Sequence, residues 1–321
     1  MSDTKYNIKW GPQGSNIGII EYICQSNDNL EMVPEGEKFK FIDDNTVTDT
    51  INLSTVGMSS YNVKQHVPSN VPSHNQLIDS ANLKSQVYMS KIVEWSDLKK
   101  MKLNPKKCNN LIFNFSRKKQ FATNIRIKDH IVETVSHKKL LGTIIEDKLK
   151  WNLEIERLVK AANKRMVLLH KTSKFTSRIS DLKLIYNSKI RSILETSCVV
   201  WHSSITLKQR AMLERLQKCA FRIILKNNYE SYENALAVMN MDTLDKRREK
   251  LCLRFAKSCL RHDRMKAMFP LKRISHSMTK RNIEKFKINR AVTNRYKNSS
   301  IPYMQRLLND DDKELQRMIG C

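Results

Sequence analysis

In the segment FKFIDDNTV, Phe39 to Val47, two adjacent acids, Asp43 and Asp44, close an alternation of aromatic, basic and apolar residues. Neighbouring carboxylates repel each other and are costly to bury, so they need water or a counter-charge. Phe39 and Phe41 alternate with Lys40 and Ile42, which is a strand period. Strand, acids and then Asn45 predict a hairpin turn. By itself such a turn needs only exposed Asp side chains, and the run Asp310, Asp311, Asp312 reads as a cap or a solvated terminus. Upstream lies GPQGSNIG, Gly11 to Gly18. Gly14 has no side chain and lets backbone approach a ligand closely, and Ser15 is a helix-capping type. Cys252, Cys259 and His262 share one helical region. Three groups at loose spacing read as buried thiols rather than a zinc site.

The elements that must position these residues change character along the chain. Residues 61–75 carry two Pro and no periodicity, a loop. Residues 76–100 read as a helix. Strands are predicted at Leu111–Phe115, at Ile125–Ile127 before a polar turn leading to Ile131 and Val132, and at Leu140–Ile145. After Trp151 apolar residues recur at three and four. One stripe is Ile155, Leu158, Ala162, Met166 and Leu169. A second is Leu182, Ile185, Tyr186, Ile190, Ile193 and Leu194. A third is Leu213, Leu216, Ala220, Ile223 and Ile224, and a fourth is Leu244, Leu251, Phe255 and Cys259. The opposite faces are basic: Lys160, Lys164, Arg165 and Lys171, then Lys183, Lys189 and Arg191, then Lys208, Arg210, Arg215, Lys218 and Arg222.

The formal charge of +26 is unevenly placed. Residues 1–75 hold 5 Lys or Arg against 9 Asp or Glu; residues 76–321 hold 53 against 23, a net of +30. Such a concentration calls for a polyanion, and nucleic acid is the first candidate. An anionic membrane surface would want a sharply amphipathic anchor, which is not evident. Seven scattered Cys without framework spacing, and a start without a signal-peptide core, lead to the expectation of an intracellular protein of nucleus or cytoplasm, not secreted.

The order GPQGS, NDNL, FIDD, MKLNPKKC and KKLLGTIIEDKLKW resembles the reverse transcriptase of non-long-terminal-repeat (LINE-type) retrotransposons. Later segments, among them ILETSCVVWHSSIT and ERLQKCAFRIIL, resemble the region that follows the thumb, so the likeness runs from about Trp10 to Asp310. It implies an α+β fold: an incomplete palm with an antiparallel sheet, then a mostly helical thumb and C-terminal region. The boundaries would be a palm remnant over 1–60, a loop over 61–75, the rest of the palm with the primer-grip strands over 76–150, the thumb over 151–230 and a basic helical region over 231–321.

The resemblance also implies roles. Pro12, Gln13, Gly14 and Ser15 would form the loop that contacts template and nucleotide, with Phe41. Asp43 and Asp44 would be catalytic ligands of Mg²⁺, since nucleotidyl transfer uses two divalent cations and hard cations take carboxylate oxygens. Asn104 and Lys107 fall in the next segment, where Lys107 is a candidate for charge stabilisation at the phosphates. Leu141 and Gly142 would grip the primer; the charge excess, not the resemblance, assigns Lys160, Lys164 and Arg165 to RNA and DNA backbone. Trp10 stands where the family has a small residue or Val, and Asn16-Ile17-Gly18-Ile19 replaces the usual Leu-Gly-Pro. The family draws a further catalytic Asp from a strand upstream of the loop. The expectation is therefore a truncated polymerase that is inactive alone and completed, if at all, by an upstream polymerase fragment. The alternatives are a non-catalytic nucleic-acid-binding module and a genomic relic.

Overall fold

The computed structural model describes residues 37–41, 44–48, 74–98, 103–113, 124–271, 286–288, 291 and 293–319, with side chains described inside the span 82–311. The chain divides into two compact units, Met1–Ser136 and His137–Cys321. Helices and two-stranded ladders occur in each, so the fold mixes helix and strand.

In the first unit, β1 (Glu37–Phe41) and β2 (Asp44–Thr48) pair antiparallel, from Glu37↔Thr48 to Phe41↔Asp44. Phe39, Phe41, Thr46, Val47 and Thr48 are the aromatic and β-branched types that suit a ladder. Helix α1 (His74–Leu98) contains no Gly or Pro and buries Tyr88 and Trp95, seven residues apart on one face. It starts within the expected loop; residues 61–73 lie outside the described residues. Strand β3 (Asn109–Leu111) pairs with β6 (Glu133–Val135), and β4 (Arg126–Ile127) with β5 (His130–Ile131). The Gln86 amide clamps α1 to β4: its Nε2 donates to the Arg126 carbonyl at 3.1 Å, and Arg126 N–H donates to its Oε1 at 2.7 Å. Two expectations change. The strand predicted over 111–115 is β3 at 109–111, because pairing with β6 sets its limits; Phe113 is exposed and Phe115 lies outside the described residues. In place of the expected antiparallel sheet, the described residues form separate two-stranded ladders, of which β3–β6 is parallel.

The second unit opens with β7 (His137–Leu140) and β8 (Thr143–Glu146). Helices follow: α2 (Asn152–Phe175); α3, an α-helix over Ile179–Ile185, a π-helical stretch over Tyr186–Arg191 and a closing turn over Ser192–Glu195; α4 (Cys198–Trp201); and α5 (Leu207–Leu225). Next come α6 (Tyr232–Met239), α7 (Leu244–Cys259), α8 (Asp263–Lys266), α9 (Asn294–Lys297) and α10 (Ser300–Ile319). The stripe on α2 is buried from Ile155 to Leu169. On α3 the buried residues are Leu182, Tyr186, Ile190 and Leu194, at strict steps of four. In an α-helix each such step drifts by about 40°. The wider π turn absorbs the drift and keeps all four on the core. Thr206 begins α5 with a full capping box to Gln209.

One core cluster runs from Trp151 through α6 to Leu244. A second joins Cys252, Ala256 and Cys259 to Phe269, Phe286, Met304 and Leu308. Helix α7 therefore serves both cores, whereas the sequence places a boundary near 230. Burial pushes the Cys252 thiol up to about 12 and that of Cys198 up to about 11. Among the described residues no helix is long and apolar enough to cross a membrane.

Candidate nucleic-acid interface

Leu140–Ile145 is not one strand. Leu141 and Gly142 form a two-residue turn with φ of 46° and 87°, and the hairpin pairs His137↔Glu146 through Leu140↔Thr143. Positive φ at both central positions is the type I′ pattern, which matches the twist of a hairpin and favours Asn-Gly. Leu in that conformation costs about 1–2 kcal/mol. It is also 56% exposed, so the tip presents a strained apolar side chain to solvent.

The hairpin is fastened to α2. Glu154 is wholly buried, and its Oε2 accepts the Ile144 N–H at 2.9 Å. Arg157 answers its charge, with Nε donating at 2.8 Å and Nη2 at 2.6 Å. Thr143 Oγ1 donates to Ser197 Oγ at 2.7 Å, and Glu146 Oε2 accepts the Leu153 N–H at 3.3 Å, satisfying one of the free donors at the start of α2. Gln209 Nε2 donates to the Lys150 carbonyl and to Asn152 Oδ1, at 3.1 and 2.8 Å, tying α5 to the same corner. Lys160 and Lys164 lie on the side of α2 opposite its buried stripe, and Arg165 lies along the stripe; all three are exposed and have no carboxylate partner among the described residues. The second unit thus carries both the tip Leu141–Gly142 and these three cations on one hydrogen-bonded support.

Other basic positions are not free. Arg210 Nη1 contacts both Asp245 oxygens at 3.0 and 3.1 Å, and its Nη2 donates to the His202 carbonyl at 3.2 Å. Arg191 pairs with Glu195, and Lys183 donates to the Met239 carbonyl. Beside Arg210 lies a buried polar group that sequence reasoning missed. Arg248 is fully buried over the Trp201 ring, and its Nε donates to His202 Nδ1 at 3.3 Å. Burial and the adjacent Arg248 and Arg210 push the His202 imidazole down to about 4. Glu154 was missed too. The signal was register: Glu154 precedes Leu158 and Ala162 by steps of four, as Arg248 follows Leu244 and precedes Cys252 and Ala256.

The remaining candidates belong to the first unit. Asp44 opens β2 opposite Phe41, as a hairpin requires, while Asp43, Pro12, Gln13, Gly14 and Ser15 lie outside the described residues. Lys107 is exposed at the end of a 3₁₀ turn over Pro105–Lys107, where Asn104 Oδ1 accepts the Lys106 N–H at 3.1 Å. Adjacent Asp residues are the donor type that Mg²⁺ takes. Among the described residues, however, no group of three or more His, Cys, Asp or Glu gathers to hold a metal ion. They do not by themselves complete a two-metal centre.

No family model, curated protein or solved structure matches the chain.

Proposed function

We propose that the chain is a nucleic-acid-binding part of a LINE-type reverse transcriptase, in which the β7–β8 tip and the outer face of α2 hold template and primer backbone. The observation that carries the reading is the buried Glu154, which fixes a strained, exposed Leu141–Gly142 turn to the helix that presents Lys160, Lys164 and Arg165 with no carboxylate partner among the described residues. Phosphates are met by cations, and a small apolar tip packs on sugar and base without reading sequence. In this reading Asp43 and Asp44 bind Mg²⁺ and Lys107 faces phosphate, with Gln13, Gly14, Ser15 and Phe41 near template and nucleotide. RNA and DNA are the partners, and nucleotidyl transfer requires the further Asp that the resemblance places on another strand.

A second reading, a binding module without catalysis, is favoured by one feature. The tip, the anchoring Glu154 and the α2 cations all lie inside the compact unit His137–Cys321, while Asp44 lies in the other.

The test uses the full chain. Replacing Lys160, Lys164 and Arg165 with Ala should weaken binding to RNA and DNA of every sequence alike. It should also make the dependence of log K on log salt shallower by about 2–3, one increment per lost phosphate contact. Unchanged affinity and slope would remove α2 from the interface. Primer extension, with and without a fragment carrying an upstream palm strand, then separates the two readings. Extension lost in Asp43→Ala and Asp44→Ala supports the polymerase; binding without extension in any mixture supports the module.

A further inference from the structure

Arg215, Lys218, Arg222 and Lys226 follow one another at steps of three, four and four, so they share one face of α5 and its C-terminal cap. At 1.5 Å per residue the row is roughly 16 Å long. Arg215, Arg222 and Lys226 are exposed and Lys218 is half-buried. None of the four has a carboxylate partner among the described residues. This contrasts with Arg157, Arg191, Arg210, Arg247 and Lys250, which pair with Glu154, Glu195, Asp245, Glu195 and Asp242.

Two of the four cations rest on aromatic faces instead. The Lys218 ammonium is 4.8 Å from the Tyr232 ring centroid, and the Arg222 guanidinium is 5.3 Å from that of Tyr229. The Tyr232 ring is itself fixed, since its hydroxyl donates to Glu214 and accepts from Gln217 Nε2 at 2.8 Å. A cation held by a ring keeps its full charge and leaves N–H donors for an incoming anion. Lys226, at the end of the row, has φ 51° and ψ −122°, a conformation that glycine adopts at ease and a lysine only with strain.

We propose that this face of α5 is a second backbone-binding surface for nucleic acid, separate from the outer face of α2, on which four cations meet the phosphates of RNA or DNA without reading bases. The proposal rests on the nucleic-acid reading above. Helices α2 and α5 pack together through their buried stripes, so Lys160 and Lys164 on the one and the four-residue row on the other turn away from that contact. A lipid surface would need an exposed apolar row beside the charges. Leu207 and Met212 are exposed in the N-terminal part of α5, but C-terminal to Met212, where the row lies, the helix exposes no large apolar side chain: Phe221, Ile224 and Leu225 are buried.

The experiment measures anisotropy of fluorescent single-stranded and duplex oligonucleotides against the full chain over a salt series. The variant Arg215→Gln/Lys218→Gln/Arg222→Gln/Lys226→Gly should bind at least tenfold more weakly at low salt. Its slope of log K on log salt should be shallower by about 3, for four lost contacts. If the α2 triple variant loses affinity and the α5 variant does not, the α5 surface is overturned and the broader reading stands. If the wild-type chain binds no oligonucleotide, both fall together. Lys226→Gly alone guards against misfolding: it should unfold at the same or a higher temperature and still bind several-fold more weakly. Lower stability with unchanged binding would make Lys226 a purely structural residue and count against the surface. Phosphatidylserine vesicles serve as competitor, and capture of the chain by vesicles in preference to oligonucleotide would overturn the proposal in favour of a membrane.

Discussion

His202 is held neutral by its neighbours. Arg248 donates to Nδ1, Arg210 binds the His202 carbonyl, and Asp245, which favours the charged ring, is already shared by the two arginines at 3.0 and 3.7 Å. Burial adds to the arginines' effect and takes the ring down to about 4. The unfolded chain, with an ordinary imidazole near 6.5, binds more protons between those limits. Stability contributed by the neutral ring is therefore intact above about pH 6.5 and falls as pH drops toward 4, by about 1.4 kcal/mol per pH unit. Urea midpoints of wild type and His202→Gln, compared from neutral pH down to about 4.5, should diverge in slope, with the wild type steeper. Parallel curves would mean that His202 does not titrate on unfolding. Tyr303, whose ring meets His202 edge-on at 5.9 Å, brings no charge to this balance.

At the scale of elements, the β7–β8 hairpin combines strain at its tip with a buried anchor at its base. Leu141→Asn puts a residue that tolerates φ of 46° into the turn and should raise stability by about 0.5–1 kcal/mol. If the tip grips nucleic acid through its apolar side chain, the same variant should bind more weakly. A gain in both stability and affinity would deny Leu141 a binding role. Glu154→Ala should cost about 2–4 kcal/mol, because the Ile144 N–H and the Arg157 guanidinium lose a buried partner together. The sequence made the helices legible here, since a buried stripe repeats over several turns, as in Ile155 to Leu169. From the residues alone LLGTII reads as one strand, because β-forming and apolar types stand on both sides of Gly142, whereas the family resemblance implies a strand pair at Leu141 and Gly142. Glu154, His202 and Arg248 were not legible, since a charged type reads as surface unless its register is checked against the stripe. Asp44 was legible next to a strand turn: it opens β2 opposite Phe41, while Asp43 lies outside the described residues.

Across the whole molecule the division into two units has a measurable consequence. The second unit holds a core running through α2, α3, α5 and α6, whereas the strands described in the first pair only in short two-stranded ladders. Larger continuous burial means greater stability, so urea should unfold the chain in two steps rather than one. Tryptophans report on each: Trp95 is buried in the first unit, and Trp151 and Trp201 in the second. In a Trp10→Phe background, the fluorescence lost in Trp95→Phe should belong to the earlier step, and that lost in Trp151→Phe or Trp201→Phe to the later one. Coincident transitions at all three positions would show that the units unfold together. Nucleic acid adds the functional half of the test. The β7–β8 tip, the α2 cations and the α5 row all lie in the second unit, so an oligonucleotide at about 100 times its Kd should stabilise the later step by about 2.7 kcal/mol. The earlier step should stay where it is. A ligand that moved only the Trp95 transition would place the nucleic-acid contact in the first unit, with Asp44 and Lys107, and remove it from the helices.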